Sequence, residues 1–391
     1  VSGQGTLVLD AQGGNSGDLV VNAPISASGA GGVTLNADDG ITLSGAGDIT
    51  TLGGTITVRA DDDVTADAGS GGAITMADGT VFDAGSGQID MDADETIALG
   101  RLATTNSGPS AVSVKTVSGS ISNVGAGINI FAPDGSVELN AATGIGSDGS
   151  AIVTTISTLA GVTSSGGTFI EESDAPVVGT AGSMSGLSTT GGDIDLEASD
   201  LTLSQLLNAD GGNIALRPAS ASSTIGLGGA VGDFKLDDDE LTTQISSSGT
   251  VTIGRAGDGS GAVGIDPVDL SGELYHLTVV GGVIAVTVLN VGTKGIVLTA
   301  RTGSITDGEA GTNLDLVAGS LSLSANASDQ AIGGSANPLE LQLSGTWNAS
   351  ASNGTGGIFA SATGSLALGT INADTGDVFI DATGSITDDS S

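Results

Sequence analysis

Gly376-Asp377-Val378-Phe379-Ile380-Asp381-Ala382-Thr383-Gly384-Ser385-Ile386-Thr387-Asp388 is the stretch whose reading decides the fold. A glycine opens a run of alternating apolar and polar positions, a Thr-Gly-Ser corner follows, and a second short run begins. Period-two alternation bounded by Gly, Ser and Asp marks a short strand between turns. Twenty residues earlier Ala362-Thr363-Gly364-Ser365-Leu366 presents the same corner as Ala382-Thr383-Gly384-Ser385-Ile386. Gly295 to Asp307 repeats eight of the thirteen positions of Gly376 to Asp388, including all of Thr-Gly-Ser-Ile-Thr-Asp. Self-similarity at a period near 20 is the mark of a solenoid, in which each repeat is one coil of the chain.

The same phrase runs through the rest of the chain. Gly32 leads into Val33-Thr34-Leu35-Asn36-Ala37, the turn Asp38-Asp39-Gly40, and a second run Ile41-Thr42-Leu43. Gly53-Gly54 opens Thr55 to Val58, and Gly71-Gly72 opens Ala73 to Met76 one short period further on. A sandwich of hairpins would favour two-residue Asn-Gly or Asp-Gly turns between strands of equal length. Here turn chemistry recurs at one coil's spacing, so like strands stack on like. The expected fold is all-β, a right-handed parallel β-helix (solenoid) with roughly 18–20 residues per coil. Ile, Val and Leu point inward; Thr, Asp, Ser and Asn point outward. Residues 1–221 read as regular coils with a looser, Ser/Thr/Gly-rich stretch at 147–188. Residues 222–292 read as atypical coils or a small inserted region, and 293–391 as regular coils again.

Composition agrees. Glycine supplies 67 of 391 residues, too many for helices, each of which an interior Gly costs about 1 kcal/mol. Hydrophobic residues make up 38% in ordered alternation, which separates the chain from a disordered Gly/Ser polymer. Eight Lys plus Arg stand against 45 Asp plus Glu, a net charge of -37, so the surface repels phosphate backbones and anionic lipid. No nucleic-acid partner is expected. The absence of Cys removes disulfides and thiolate metal sites. The longest apolar region, Leu274 to Val291, holds His276, two glycines and Asn290; it reads as two strands around Gly281-Gly282, and no transmembrane segment is expected.

Leu236-Asp237-Asp238-Asp239-Glu240-Leu241, Val251-Thr252-Ile253-Gly254 and Asp269-Leu270-Ser271-Gly272, with the Gly-x-Ile-x-Leu-x-Ala runs elsewhere, resemble a style of repeat found in very large bacterial surface proteins. These are the filamentous-haemagglutinin-type adhesins and autotransporter passenger regions. The resemblance implies a right-handed β-helix exported to the bacterial cell surface, acting as a fibre or adhesin. Strand-like repeats run from Thr6 to Asp388 without an evident capping segment, so the chain is expected to be an excerpt of a longer one or to associate end to end or side by side with copies of itself.

The function expected from these features is non-enzymatic: an extracellular structural or adhesive protein forming a stiff acidic rod or filament. One alternative is an adhesin whose loops at 147–188 or 222–290 bind a cell-surface or glycan ligand. Another is a β-helical polysaccharide lyase or hydrolase. Catalysis finds little to work with. His276 is the sole histidine, no Gly-x-Ser-x-Gly elbow occurs, and two Gly-x-Gly-x-x-Gly matches are what so glycine-rich a chain produces by chance. Arg59, Arg101, Lys115, Arg217, Lys235, Arg255, Lys294 and Arg301 are scattered, with no two close except Lys294 and Arg301. Trp347, Tyr275 and six Phe are a thin supply of rings for stacking sugars.

Calcium is the one cofactor with candidate ligands, and none is required. Asp61, Asp62 and Asp63, then Asp90, Asp92 and Asp94, then Asp237, Asp238 and Asp239 form acidic clusters whose stacked turns could supply the six to eight oxygens that Ca²⁺ takes. Solvated turns that keep a fibre soluble are the competing account. The Gly-Gly-x-Gly-x-Asp nonapeptide of calcium-binding β-rolls is absent, and no EF-hand loop occurs. Asn326, Asn348 and Asn353 head Asn-x-Ser/Thr sequons, at about the frequency composition predicts.

Overall fold

The computed structural model describes residues 5–13, 17–61, 72–309, 311–351 and 354–388. The chain is a parallel β-solenoid, almost free of helix. Packing divides it into two compact units, residues 1–198 with 203–210, and residues 199–202 with 211–391.

In the first unit each coil lays down strands on three walls. Val33–Ala37, Ile41–Leu43 and Ile49–Thr50 make one such coil. On the first wall Leu7, Val33, Ile56, Ile89, Val112 and Val137 stack in register, one per coil. Leu9, Leu35, Val58, Met91, Val114 and Leu139 form the adjacent column. The second wall carries Ile41, Ile74, Ile97, Ile121 and Ile145, all fully buried. β-Branched chains win these positions because identical neighbours about 4.8 Å apart pack flat against one another. Ile130–Ala141 and Ile152–Thr163 each run through a corner and serve two walls, with the register shifting between Ala132 and Ser136. The stretch 147–188 therefore contains a twelve-residue strand, together with an antiparallel hairpin of Thr180–Ala181 and Met184–Ser185.

Corners are built by a local device. The hydroxyl of Thr51 donates to the carbonyl of Gly54, Thr116 to Gly119, Thr163 to Gly166 and Thr189 to Gly192. Each threonine is buried, and the bond gives its hydroxyl a partner within the bend. Glycine closes the corner because the coils touch there: a Cβ on Gly87 would collide with the Gly54 carbonyl oxygen of the coil before.

In the second unit one wall stacks Val251, Leu277, Ile296, Leu321 and Trp347, the last fully buried. Another stacks Ile284, Ile305, Ile332 and Ile358. Residues 222–292 depart from the regular plan. Ile225–Leu227 pairs in parallel with Phe234–Leu236 after only a short connection, and the one α-helix among the described residues, Asp238–Thr243, follows. Tyr275, buried, donates its hydroxyl to the Leu241 carbonyl and so ties this helix to the wall.

The expected coil length holds in some coils and is exceeded in others. Ala382 stacks on Ala362 and Ile386 on Leu366, at the spacing the quoted repeat requires. Steps just as short recur elsewhere, from Ile152 to Ile170 and from Leu277 to Ile296. Others are longer, as from Leu7 to Val33, from Val33 to Ile56, from Ile56 to Ile89, and most of all from Ile214 to Val251. Strand registers are fixed by the core, whereas the turns between them absorb insertions at little cost in loop-closure entropy. The repeated phrase is also smaller than a coil. Gly295–Ala300 lies on the wall that holds Leu277 and Leu321, but its sequence counterpart Val378–Ala382 lies on the wall that holds Ile358. What recurs is strand, corner, strand, usable on more than one wall.

Replacing Ile97 by Ala removes the centre of the isoleucine column and is expected to lower the stability of the chain by about 2–5 kcal/mol in chemical denaturation. Thr42→Ser, on the outward face of a strand of the same wall, should change it by less than about 0.5 kcal/mol. Equal effects would contradict the ladder.

Candidate metal centre

Among the acidic clusters conspicuous in the sequence, Asp90 and Asp92 do share one outward face, in the alternating strand Ile89–Ala93. Each is met by a cation from a neighbouring coil. Arg59 reaches Asp90 at 2.8 Å, and Lys115 lies 3.9 Å from Asp92. The register explains both contacts, since Arg59 and Lys115 flank Asp92 on the two adjoining strands. All four side chains are a third or more exposed, so each pair is worth under about 1 kcal/mol. Asp94 sits at the following turn, where its carbonyl accepts from the amide and hydroxyl of Ser118. Asp61 adopts a left-handed conformation (φ 63°) and its amide donates to the Asp39 carbonyl. Asp62 and Asp63 lie outside the described residues.

Asp237, Asp238 and Asp239 begin the helix. The Asp237 side chain accepts from the Glu240 amide, and the Glu240 side chain accepts from the Asp237 amide, each at 2.9 Å. This reciprocal capping box, with acidic residues filling the first turn, offsets the helix dipole and satisfies its free amides. The Asp-x-x-Glu spacing was the available signal for it.

A different set of carboxylates comes together in the second unit. Asp307 ends the strand Ile305–Asp307, Asp315 immediately precedes Leu316–Ala318, and Glu340 lies in Leu339–Leu343 of the next coil. One oxygen from each lies within 4.8 Å of the others. Asp315 is fully buried and Glu340 is 9% exposed; Asp307 is half-buried. The backbone sets the cluster. The Asp315 amide donates to the Glu340 carbonyl at 2.9 Å, and the Glu340 amide donates to Asp315 Oδ2 at 2.8 Å. The Glu309 amide donates to Asp307 Oδ1 at 2.8 Å. This leaves Asp307 Oδ2, Asp315 Oδ1 and Glu340 Oε2 buried without a hydrogen-bond partner.

Ionised carboxylates at such separations repel by about 3 kcal/mol per pair at an effective dielectric of about 20. Burial pushes the Asp315 carboxyl up to about 8, with the charges of Asp307 and Glu340 adding to the rise. Burial also raises Glu340, helped by the charges of Asp307 and Glu309. Without a counter-charge, one of the buried pair keeps a proton near neutrality. Sequence reasoning missed the group because Asp307 and Asp315 flank one corner without forming a motif, and Glu340 is brought to them from the next coil by register alone.

The other candidate groups are engaged structurally. His276 is exposed, and its Nδ1 accepts from the Gly295 amide at 2.8 Å, holding the ring against the next coil. It borders a shallow groove of about 270 Å³ lined by Thr250, Thr278, Ser320, Ser322 and Asn348. Arg255 grips Asp258 at 2.8 Å, and Arg301 donates to the carbonyls of Ala256 and Gly257. Glu172, 4% exposed, accepts from the Thr154 hydroxyl at 2.6 Å and from the amides of Ile156 and Asp174; its burial, the largest influence, raises its proton affinity. Asn326 and Asn348 are exposed, and Asn353 lies outside the described residues.

A folded-state Asp315 that binds its proton more tightly than the unfolded chain stabilises the fold fully below pH about 4, and that contribution fades as pH rises toward 8. With chelator present, the stability of the chain should therefore fall more steeply between pH 4 and 8 than that of Asp315→Asn. Denaturant midpoints across that range check this; identical slopes would contradict it.

No protein-family model, no curated protein and no solved structure matches this chain, so the reading of its function rests on its own residues.

Proposed function

We propose that the chain is a non-enzymatic structural or adhesive part of an extracellular, bacterial cell-surface protein, in which stacked coils serve as an acidic, stiff building element. The observation that carries this reading is the run of uninterrupted aliphatic columns under outward faces of Thr, Ser, Asn and Asp. Such an arrangement invests the sequence in coil-to-coil packing. Trp347 and Tyr275, two of the rings a sugar-cleaving site would use as platforms, are buried in the core. Arg255 and Arg301, cations that a lyase would present to substrate carboxylates, are hydrogen-bonded within the chain.

The adhesin reading has one observation in its favour. The groove beside His276 sets four hydroxyls and the Asn348 amide, groups that hydrogen-bond sugars, among the apolar residues Ile296, Val297 and Leu321, and part of it comes from the irregular residues 222–290.

Negative-stain images of the purified protein should show elongated particles or filaments, and acidic polysaccharides incubated with it should yield no new reducing or unsaturated ends. Compact globules, or turnover of any such polymer, would contradict the proposal. Glycan-array binding abolished by Asn348→Ala together with Ser322→Ala would favour the adhesin reading.

A further inference from the structure

We propose that Asp307, Asp315 and Glu340 together bind one divalent cation, Ca²⁺, which clamps two successive coils of the second unit. The site differs from every acidic cluster visible in the sequence and goes beyond the structural role assigned above. Three features of the geometry point to it.

The first is spacing. Oxygens bound to one Ca²⁺ at 2.3–2.6 Å lie at most about 5 Å from each other, and the three carboxylates offer oxygens within 4.8 Å. The second is the set of unpartnered atoms. Asp315 Oδ1 belongs to a fully buried residue and Glu340 Oε2 to one that is nine-tenths buried, yet neither has a hydrogen-bond partner. Buried acceptors are almost always satisfied, and here no donor of the chain reaches these oxygens; a proton held between Asp315 and Glu340 serves two of them, whereas a cation serves all three. The third is preorganisation. Asp315 and Asp307 each have their other oxygen fixed by a backbone amide, from Glu340 and Glu309 respectively, so the carboxyl planes are set before any ion arrives.

The donor chemistry selects the ion. Carboxylate oxygens are hard ligands, the chain has no Cys, and its single histidine is committed to Gly295. Mg²⁺ demands near-ideal octahedral geometry and gives up water reluctantly, whereas Ca²⁺ tolerates an irregular set of six to eight oxygens. Asp307 is the least buried of the three residues, so an ion would enter from its side. Three negative charges become a net single one. Because Asp307 and Asp315 bracket one corner and Glu340 comes from the next coil, the ion joins neighbouring coils where their strands pair.

The test uses the full chain, with CaCl₂ as the probe. Calorimetric titration and thermal melting, in Ca²⁺ and in EDTA, are run on wild type, Asp307→Asn, and Asp315→Asn with Glu340→Gln. The expected result is one site in wild type well above the weak background of an acidic surface, and a melting midpoint raised in Ca²⁺ over EDTA. Asp307→Asn should weaken that site at least about tenfold, and the double variant should abolish it. In EDTA the double variant should melt no lower than wild type, because it removes the unpaired charges. If the double variant fails to fold, Asp307→Asn, which is half-buried, decides alone. A wild type with no such site, or one whose affinity and melting shift survive in the variants, would overturn the proposal and leave a proton shared between Asp315 and Glu340.

Discussion

Everything in this molecule depends on register: each inward side chain must find its counterpart one coil above and one below. The column Ile41, Ile74, Ile97, Ile121 and Ile145 shows the constraint plainly, with five isoleucines fully buried and no large ring to bridge a gap. A slip of one residue would turn every strand inside out, because successive side chains point to opposite faces. Backbone hydrogen bonds between coils enforce the same pairing, so apolar packing and the ladder specify one arrangement together.

Register also governs the polar exterior. Arg59, Asp92 and Lys115 form an outward column of alternating charge because their strands align residue for residue. In a chain carrying a net charge of -37, placing two of its eight cations beside Asp90 and Asp92 relieves repulsion where like charges would otherwise stack. The corner threonines act in the same way at the bends. Thr51, Thr116, Thr163 and Thr189, all buried, each donate to a glycine carbonyl three residues on, so the coil turns without leaving a buried hydroxyl unpartnered.

Strands were legible in the sequence wherever alternation was strict. Val33–Ala37 and Ile41–Leu43 appear where the pattern puts them, and so does the stack of Ala362 under Ala382. Coil length was less legible, because the clearest repeat comes from short coils and insertions elsewhere fall in turns that the core does not constrain. The helix Asp238–Thr243 was hidden inside an acidic run that also reads as a solvated turn; the reciprocal Asp237 and Glu240 pairing was its only local sign. Acidic runs stand out in a sequence because their members are adjacent, and adjacency favours exposure. Asp307, Asp315 and Glu340 are the opposite case, ordinary singly and joined only by stacking, so no local pattern announces them.

The chain's lack of cysteine makes register directly measurable. Thr42 and Thr75 are paired, exposed partners on adjoining coils, and parallel neighbours about 4.8 Å apart fall within the Cα spacing a disulfide spans. Thr42→Cys combined with Thr75→Cys should oxidise to an intramolecular disulfide rapidly and almost completely, while Thr42→Cys combined with Ala77→Cys, two positions further on and just past the strand's end, should not. Equal cross-linking of the two pairs, or none in the first, would contradict in-register stacking and the account built on it.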